Sequence, residues 1–293
     1  MAGAVRDVVE GRTKPVTPRD AATVMLLRPA ADAGTAVAAG TAVAAGTGGT
    51  AGAGPGRGFE VYMLRRKPTM AFAPGAYVFP GGSVDQRDAD EEVAWVGPEV
   101  AWWARALGTD ASLARALVCA AVRETFEESG VLLAGPAADE VVADTTGDDW
   151  EADRHALLDR SLSLAELLAR RNLILRADLL RPWARWITPA AEPRRFDARF
   201  FTAALPAGQL TRDVGGEASA VQWISPAGAL EAGRAGQIEL WLPTAMTLAE
   251  LADHDDVGSV LAAPREIAPR LPEVFVADGQ TWLSIPGDRE YPL

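Results

Sequence analysis

The sequence predicts a mixed α+β fold. Short apolar runs of strand character alternate with longer stretches of helical periodicity, turn residues punctuate them, and no obvious linker divides the chain. The 293 residues are 48% hydrophobic and 23% charged, a globular balance that excludes a fibre, a coiled coil or wholesale disorder. We read an N-terminal tail over 1–19 and a single domain over 20–293.

The elements follow in order. Residues 21–29 (AATVMLLRP) and 58–66 (GFEVYMLRR) each read as a largely buried strand, since apolar residues run almost unbroken. Between them AGTAVA at 33–38 repeats at 39–44, and a Gly- and Thr-rich run continues to Gly56 without a charge. Only Val37 and Val43 are bulky there, far short of the roughly 20 strongly apolar residues of a membrane helix. Residues 33–57 therefore read as a flexible low-complexity loop.

Next, 74–82 (PGAYVFPGG) is a turn-rich connection holding a short strand, and EVAWWARAL at 99–107 is a short helix. Residues 112–130 (SLARALVCAAVRETFEESG) predict a long helix capped by Ser112 and stopped by Gly130. Its buried stripe is Leu113, Leu117, Ala120, Ala121 and Phe126. A helix over 164–175 follows, then LLRPWARWITP leads into a turn, and strands follow at 194–205 and 220–225. SPAGALEAG reads as a capped short helix and 241–253 as another, with Pro243 in its first turn. VFVADGQTWLSIPG has the form of a hairpin turning at Asp278-Gly279.

A net charge of -12 disfavours a nucleic-acid partner, because phosphate contacts demand a basic face. The one cysteine, Cys119, excludes an intrachain disulfide and reads as a buried, inert thiol. The N-terminal MAGAVRDVVEGR has no apolar signal core, so a cytoplasmic location without a membrane partner is expected. Neither His155 nor His254 stands in a catalytic setting.

Chemistry concentrates in Arg123-Glu124-Thr125-Phe126-Glu127-Glu128-Ser129-Gly130-Val131. Helical spacing puts Glu124 beside both Glu127 and Glu128. Three carboxylates on one face repel, and the negative end of a helix dipole adds to the cost. Two readings are open: a site for a divalent cation that prefers hard oxygen ligands, or a solvated acidic helix end relieved by Arg123.

This stretch resembles the second half of the Nudix box, G-x5-E-x7-R-E-U-x-E-E-x-G-U, and Phe79-Pro80-Gly81-Gly82 resembles its opening glycines. Gly82 and Arg123 are 41 positions apart where an uninterrupted box has 14, so 27 additional residues interrupt it, and the insertion is placed within 83–110. Counted back from Arg123, the first acidic position falls on Arg115, so the first carboxylate is either absent or displaced, with Asp85 the candidate. AFAPGAYVFPGGSVD, VCAAVRETFEESGVLL, WITPAAEPRRFDARFF, AVQWISPAGAL, IELWLPT and LSIPGD are similar to segments of the Nudix subfamily of the mammalian peroxisomal coenzyme A diphosphatase.

The resemblance implies an α/β/α sandwich with a mixed sheet and helical insertions. It implies a hydrolase that uses Mg²⁺ or Mn²⁺ to cleave a diphosphate linkage in a nucleoside-diphosphate derivative, with coenzyme A or acyl-coenzyme A the leading substrate. NADH or ADP-ribose, and a non-catalytic ligand-sensing module, are the alternatives. Glu124, Glu127 and Glu128 are the expected catalytic and metal residues, joined by Gly82 and by Glu217 from a later loop. Arg65, Arg66, Phe79, Gly81, Gly82 and Arg195 are the expected substrate contacts. One basic position of the coenzyme A signature falls on Ala71. A homodimer is expected from family habit.

Overall fold

Two strands without a polar face set the architecture. In β1 (Arg19–Pro29), Ala22, Val24 and Leu26 enter one core while Met25 and Leu27 enter another. In β2 (Phe59–Arg66), Tyr62 and Leu64 join the first core, and Phe59, Val61 and Met63 the second. Because strand side chains alternate, a strand apolar at every position must be covered on both sides. The result is a sandwich. The computed structural model describes residues 12, 14–30, 58–70, 72–90, 93–213, 218–277, 280–285 and 290–292. The expected 33–57 loop, Ala71 and Glu217 lie outside the described residues.

β1 pairs antiparallel with β2 and parallel with β9 (Phe196–Ala204), which makes the sheet mixed. Beyond β2 lies β10 (Ala218–Ile224); beyond β9 lie β8 (Arg181–Ile187) and β11 (Pro269–Arg270). Two short strands attach to the middle: β3 (Tyr77–Val78) on β2, and β4 (Gly81–Ser83) on β1. The first core is closed by α2 (Val100–Leu107), α3 (Ala111–Ser129), α4 (Asp148–Leu158) and α5 (Leu164–Arg170). The short α1 (Gln86–Asp90) also packs on α3. The second core is closed by α6 (Pro226–Arg234), α7 (Leu242–Ala252) and α8 (Val257–Ala262).

Several expectations shift. The cap of α3 is Asp110, whose carboxylate accepts the Leu113 N–H at 2.9 Å; Ser112 lies one residue inside the helix. The helix expected over 164–175 ends at Arg170. Asn172 turns the chain with φ 53°, and Ile174–Arg176 form β7 between β5 (Trp95–Val96) and β6 (Ala134–Gly135). LLRPWARWITP carries strand β8, where a register shift at Pro182 accommodates its missing N–H and Trp183 and Trp186 are buried. The turn expected after it follows, closed by the Glu192 N–H donating to the Pro189 carbonyl at 3.1 Å. Helix α4 was not foreseen. The terminal hairpin forms from β12 (Glu273–Ala277) and β13 (Gln280–Ser284), with β14 (Glu290–Pro292) beside β13; Asp278-Gly279 lie outside the described residues.

Candidate metal and phosphate site

The glycine pair brings backbone against the acidic helix. A Cβ on Gly81 would stand 2.5 Å from the Ala22 carbonyl oxygen, so only glycine allows β4 this close to β1. A Cβ on Gly82 would stand 2.5 Å from Glu124 Oε1. The Gly81 N–H donates to Glu128 Oε2 at 2.7 Å. The turn and the helix end thus form one unit. Phe79, expected to touch substrate, instead points through the sheet into the second core, edge-on to Phe200. Its alternation with Val78, which packs on the first core, explains the difference.

Arg123 is the hub of the site and is nearly buried. Its guanidinium donates to Glu124 Oε1 at 2.8 Å, Glu127 Oε1 at 3.1 Å, Asp88 Oδ2 at 3.0 Å and the Ser83 carbonyl at 3.0 Å. Burial works against its charge, yet Glu124, Asp88 and Glu127 together hold it more firmly protonated than usual. Burial pushes Glu124 up to about 7, with Arg123 opposing and Glu127 adding to the rise. Glu127 is raised in the same direction, again by burial first. Glu128 is half-buried and faces the glycine turn.

The structure brings Asp88, not Asp85, to the arginine of the box. Asp88 is 5% exposed and grips Arg123, whereas Asp85 pairs with Arg87. The signal was available: six residues beyond Gly82, the spacing of G-x5-E, lies Asp88. Counting back from Arg123 runs through the additional residues and lands on Arg115, which donates to the Val93 carbonyl and lies over Trp95.

A narrow cleft beside Glu128 is lined by Leu64, Arg66, Val78 and Ala218. Arg66 Nε donates to the Phe72 carbonyl at 3.0 Å, which fixes its guanidinium at this mouth. Arg65 is exposed and, by strand alternation, leaves the opposite face of β2, so the structure does not bring it to the carboxylates. Arg195 is corrected as well. It is buried, and its guanidinium is spent on the carbonyls of Thr188 (3.0 Å) and Val16 (2.7 Å). Cys119 is buried, with its thiol pushed up to about 12 by burial.

The donor set suits a hard divalent cation: Glu124, Glu127 and Glu128 offer carboxylate oxygens, and the Gly82 backbone lies against Glu124. Among the described residues no three such groups already converge as a finished metal cage. The reason is visible in the contacts. The Arg123 guanidinium holds Glu124 and Glu127, and the Gly81 N–H holds Glu128. Positive charge already offsets Glu124 and Glu127, and a cation here would compete with Arg123 and the Gly81 N–H for oxygens that are already in place.

This sheet, flanked by helices, with an acidic helix end seated on a glycine turn, is the Nudix hydrolase fold. It is shared with the crystal structure of a Nudix hydrolase from Alicyclobacillus acidocaldarius, at a TM-score of 0.65 and 25% identity over 86% of this chain and 98% of that one. The NUDT19 Nudix domain matches residues 104–251, half of the chain, and the chain belongs to that family. Acyl-coenzyme A diphosphatase NUDT19 of Homo sapiens is 29% identical, covering 81% of this chain and 73% of that protein. The Xenopus laevis protein of the same name is 26% identical over 63% of this chain and 57% of its own length, so the match spans little more than half of that relative. A putative nudix hydrolase 7 of Caenorhabditis elegans is 29% identical over 79% of this chain and 69% of the worm protein. Among the described residues, no helix is long and apolar enough to cross a membrane.

Proposed function

We propose that this chain is a metal-dependent hydrolase that cleaves the diphosphate linkage of a nucleoside-diphosphate derivative, coenzyme A or acyl-coenzyme A being the substrate class. The observation that carries the reading is the docking of the Glu124–Glu128 helix end on Gly81 and Gly82. It puts phosphate-approachable backbone and oxygen ligands in one place. The names of the human and Xenopus relatives support the substrate class.

In this reading Glu124, Glu127 and Glu128, with the Gly82 carbonyl, would hold Mg²⁺ or Mn²⁺. When bound, the ion neutralises phosphate charge and lowers the pKa of a coordinated water. The remaining work falls to the chain. Arg66, tethered by the Phe72 carbonyl, presents a guanidinium to substrate phosphate at the cleft. Arg123, braced by Asp88, aims Glu124 and Glu127. Glu124, backed against Gly82, is placed either to ligate or to take a proton from attacking water. Glu217 is proposed as a further carboxylate of the site.

Product analysis tests the reading. Coenzyme A, NADH and ADP-ribose are each incubated with Mg²⁺ or Mn²⁺, using wild type and Glu127→Gln. Release of 3′,5′-ADP and phosphopantetheine by wild type, reduced at least about 100-fold in the variant, is expected. Cleavage of NADH or ADP-ribose alone would discard coenzyme A. Turnover undiminished in the variant would overturn the site.

A further inference from the structure

The negative end of α3 is an awkward place for three carboxylates, and the structure answers that problem outside the box. The last carbonyls of a helix lack intrahelical partners, and cations there offset its dipole. Arg154 of α4, 1% exposed, donates from Nη1 to the Glu127 carbonyl at 3.0 Å. Arg212 closes the same end: its N–H donates to the Ser129 carbonyl at 3.1 Å, and its guanidinium lies over Gly130, where any Cβ would collide with it.

One carboxylate joins the two. Glu151 accepts both Nε and Nη2 of Arg154, and Nη2 of Arg212 at 3.1 Å. Arg212 is fastened again where its own carbonyl accepts the Tyr62 hydroxyl at 3.0 Å. The latch therefore ties the final turn of α3 to α4, to β2 and to the segment leading into β10. None of its three members belongs to the box.

We infer that Arg154, held by Glu151, is a positioning residue that fixes the last turn of α3 so that Glu127, beside Arg123, and Glu128, on the glycine turn, stand in the geometry a divalent cation needs. The inference rests on the function proposed above. A buried guanidinium on the main-chain carbonyl of Glu127 sets where its Cα–Cβ bond points. A neutral or shorter substitute leaves that carbonyl to drift. Residues that orient metal ligands at one remove change metal affinity or activity about 10- to 100-fold when replaced.

The test is Mn²⁺ binding to the full chain without substrate, read as the loss of the free-ion electron paramagnetic resonance signal, beside thermal melting of the metal-free protein. Wild type, Glu127→Gln, Arg154→Lys and Glu151→Gln are compared. Arg154→Lys is expected to weaken Mn²⁺ about tenfold while the metal-free melt stays cooperative. Glu151→Gln, at a partly exposed position that leaves Arg154 in place on the Glu127 carbonyl, is expected to weaken it only about threefold, less than replacing the orienting residue itself. Wild-type Mn²⁺ affinity retained by both latch variants, whatever their melting temperatures, would reduce the latch to a purely structural role and overturn the inference alone. Absence of a Glu127-dependent Mn²⁺ site in wild type would overturn the proposed function, and the inference with it.

Discussion

At the scale of single residues, the pairing of Arg123 with Asp88 decides how the site is held. Both groups are nearly out of water and 3.0 Å apart. Removing Asp88 leaves Arg123 its pairs with Glu124 and Glu127 but strips Nε and Nη2 of their buried charged acceptor. An unsatisfied buried donor costs about 1–3 kcal/mol, more where charge is involved. Asp88→Ala is therefore expected to destabilise the chain by about 3 kcal/mol in urea unfolding. Asp85→Ala, which removes a partly exposed partner of Arg87, is expected to cost under about 1 kcal/mol. Equal losses for the two would mean that Asp88 does not brace Arg123. The residue scale is also where sequence was least sufficient. Phe79, Arg65 and Arg195 all stand in segments that matched a known pattern, and all three point away from the carboxylates or spend their donors on backbone. A strand's alternation and a buried carbonyl in search of a donor are settled by tertiary neighbours, which no local pattern records.

At the scale of elements, the β4 turn and α3 behave as one part, because Gly82 leaves no room for a methyl group beside Glu124. Gly82→Ala puts that methyl 2.5 Å from a carboxylate oxygen, which then has to leave its place between Arg123 and the turn. The expected outcome is a loss of kcat/KM of at least about tenfold, with Mn²⁺ affinity falling in parallel, since about 1.4 kcal/mol of lost ligand alignment is a factor of ten. Unchanged kinetics would show that Glu124 need not sit against the glycine. Most elements were legible in advance for a physical reason: β1, β2 and α3 carry strong apolar patterns that burial on two sides demands. The failures lie where pattern is weak. The tail of the 164–175 helix holds Asn172, which adopts a left-handed turn, and α4 is acidic along its first turn with few buried residues. Such segments take their form from partners, here β5 and β6 for β7, and the Arg154 latch for α4.

At the scale of the whole molecule, stability and metal binding are coupled through protons. Glu124 is raised to about 7 by burial, and Glu127 is raised as well, so the folded metal-free chain binds more protons than the unfolded one between about pH 4.5 and 7. Where the folded state holds the extra protons, stability is greatest below the unfolded pKa and is lost as pH rises through the folded one. Glu151 and Asp85 work in the opposite direction but at lower pH. Each is depressed to about 2 by arginine hydrogen bonds, so their contribution is complete above the ordinary carboxylate range and lost only toward pH 2. The metal-free melting temperature is therefore expected to fall between pH 5 and pH 8, and saturating Mg²⁺ to restore it most at the alkaline end, because a cation needs the ionised carboxylates. Glu124→Gln carries no proton to lose, so its metal-free melting curve should be flatter across the same interval and its Mg²⁺ response smaller. A wild-type melting temperature that rises steadily from pH 5 to 8, or a variant that keeps the full slope, would remove Glu124 as the group that couples folding to the ion.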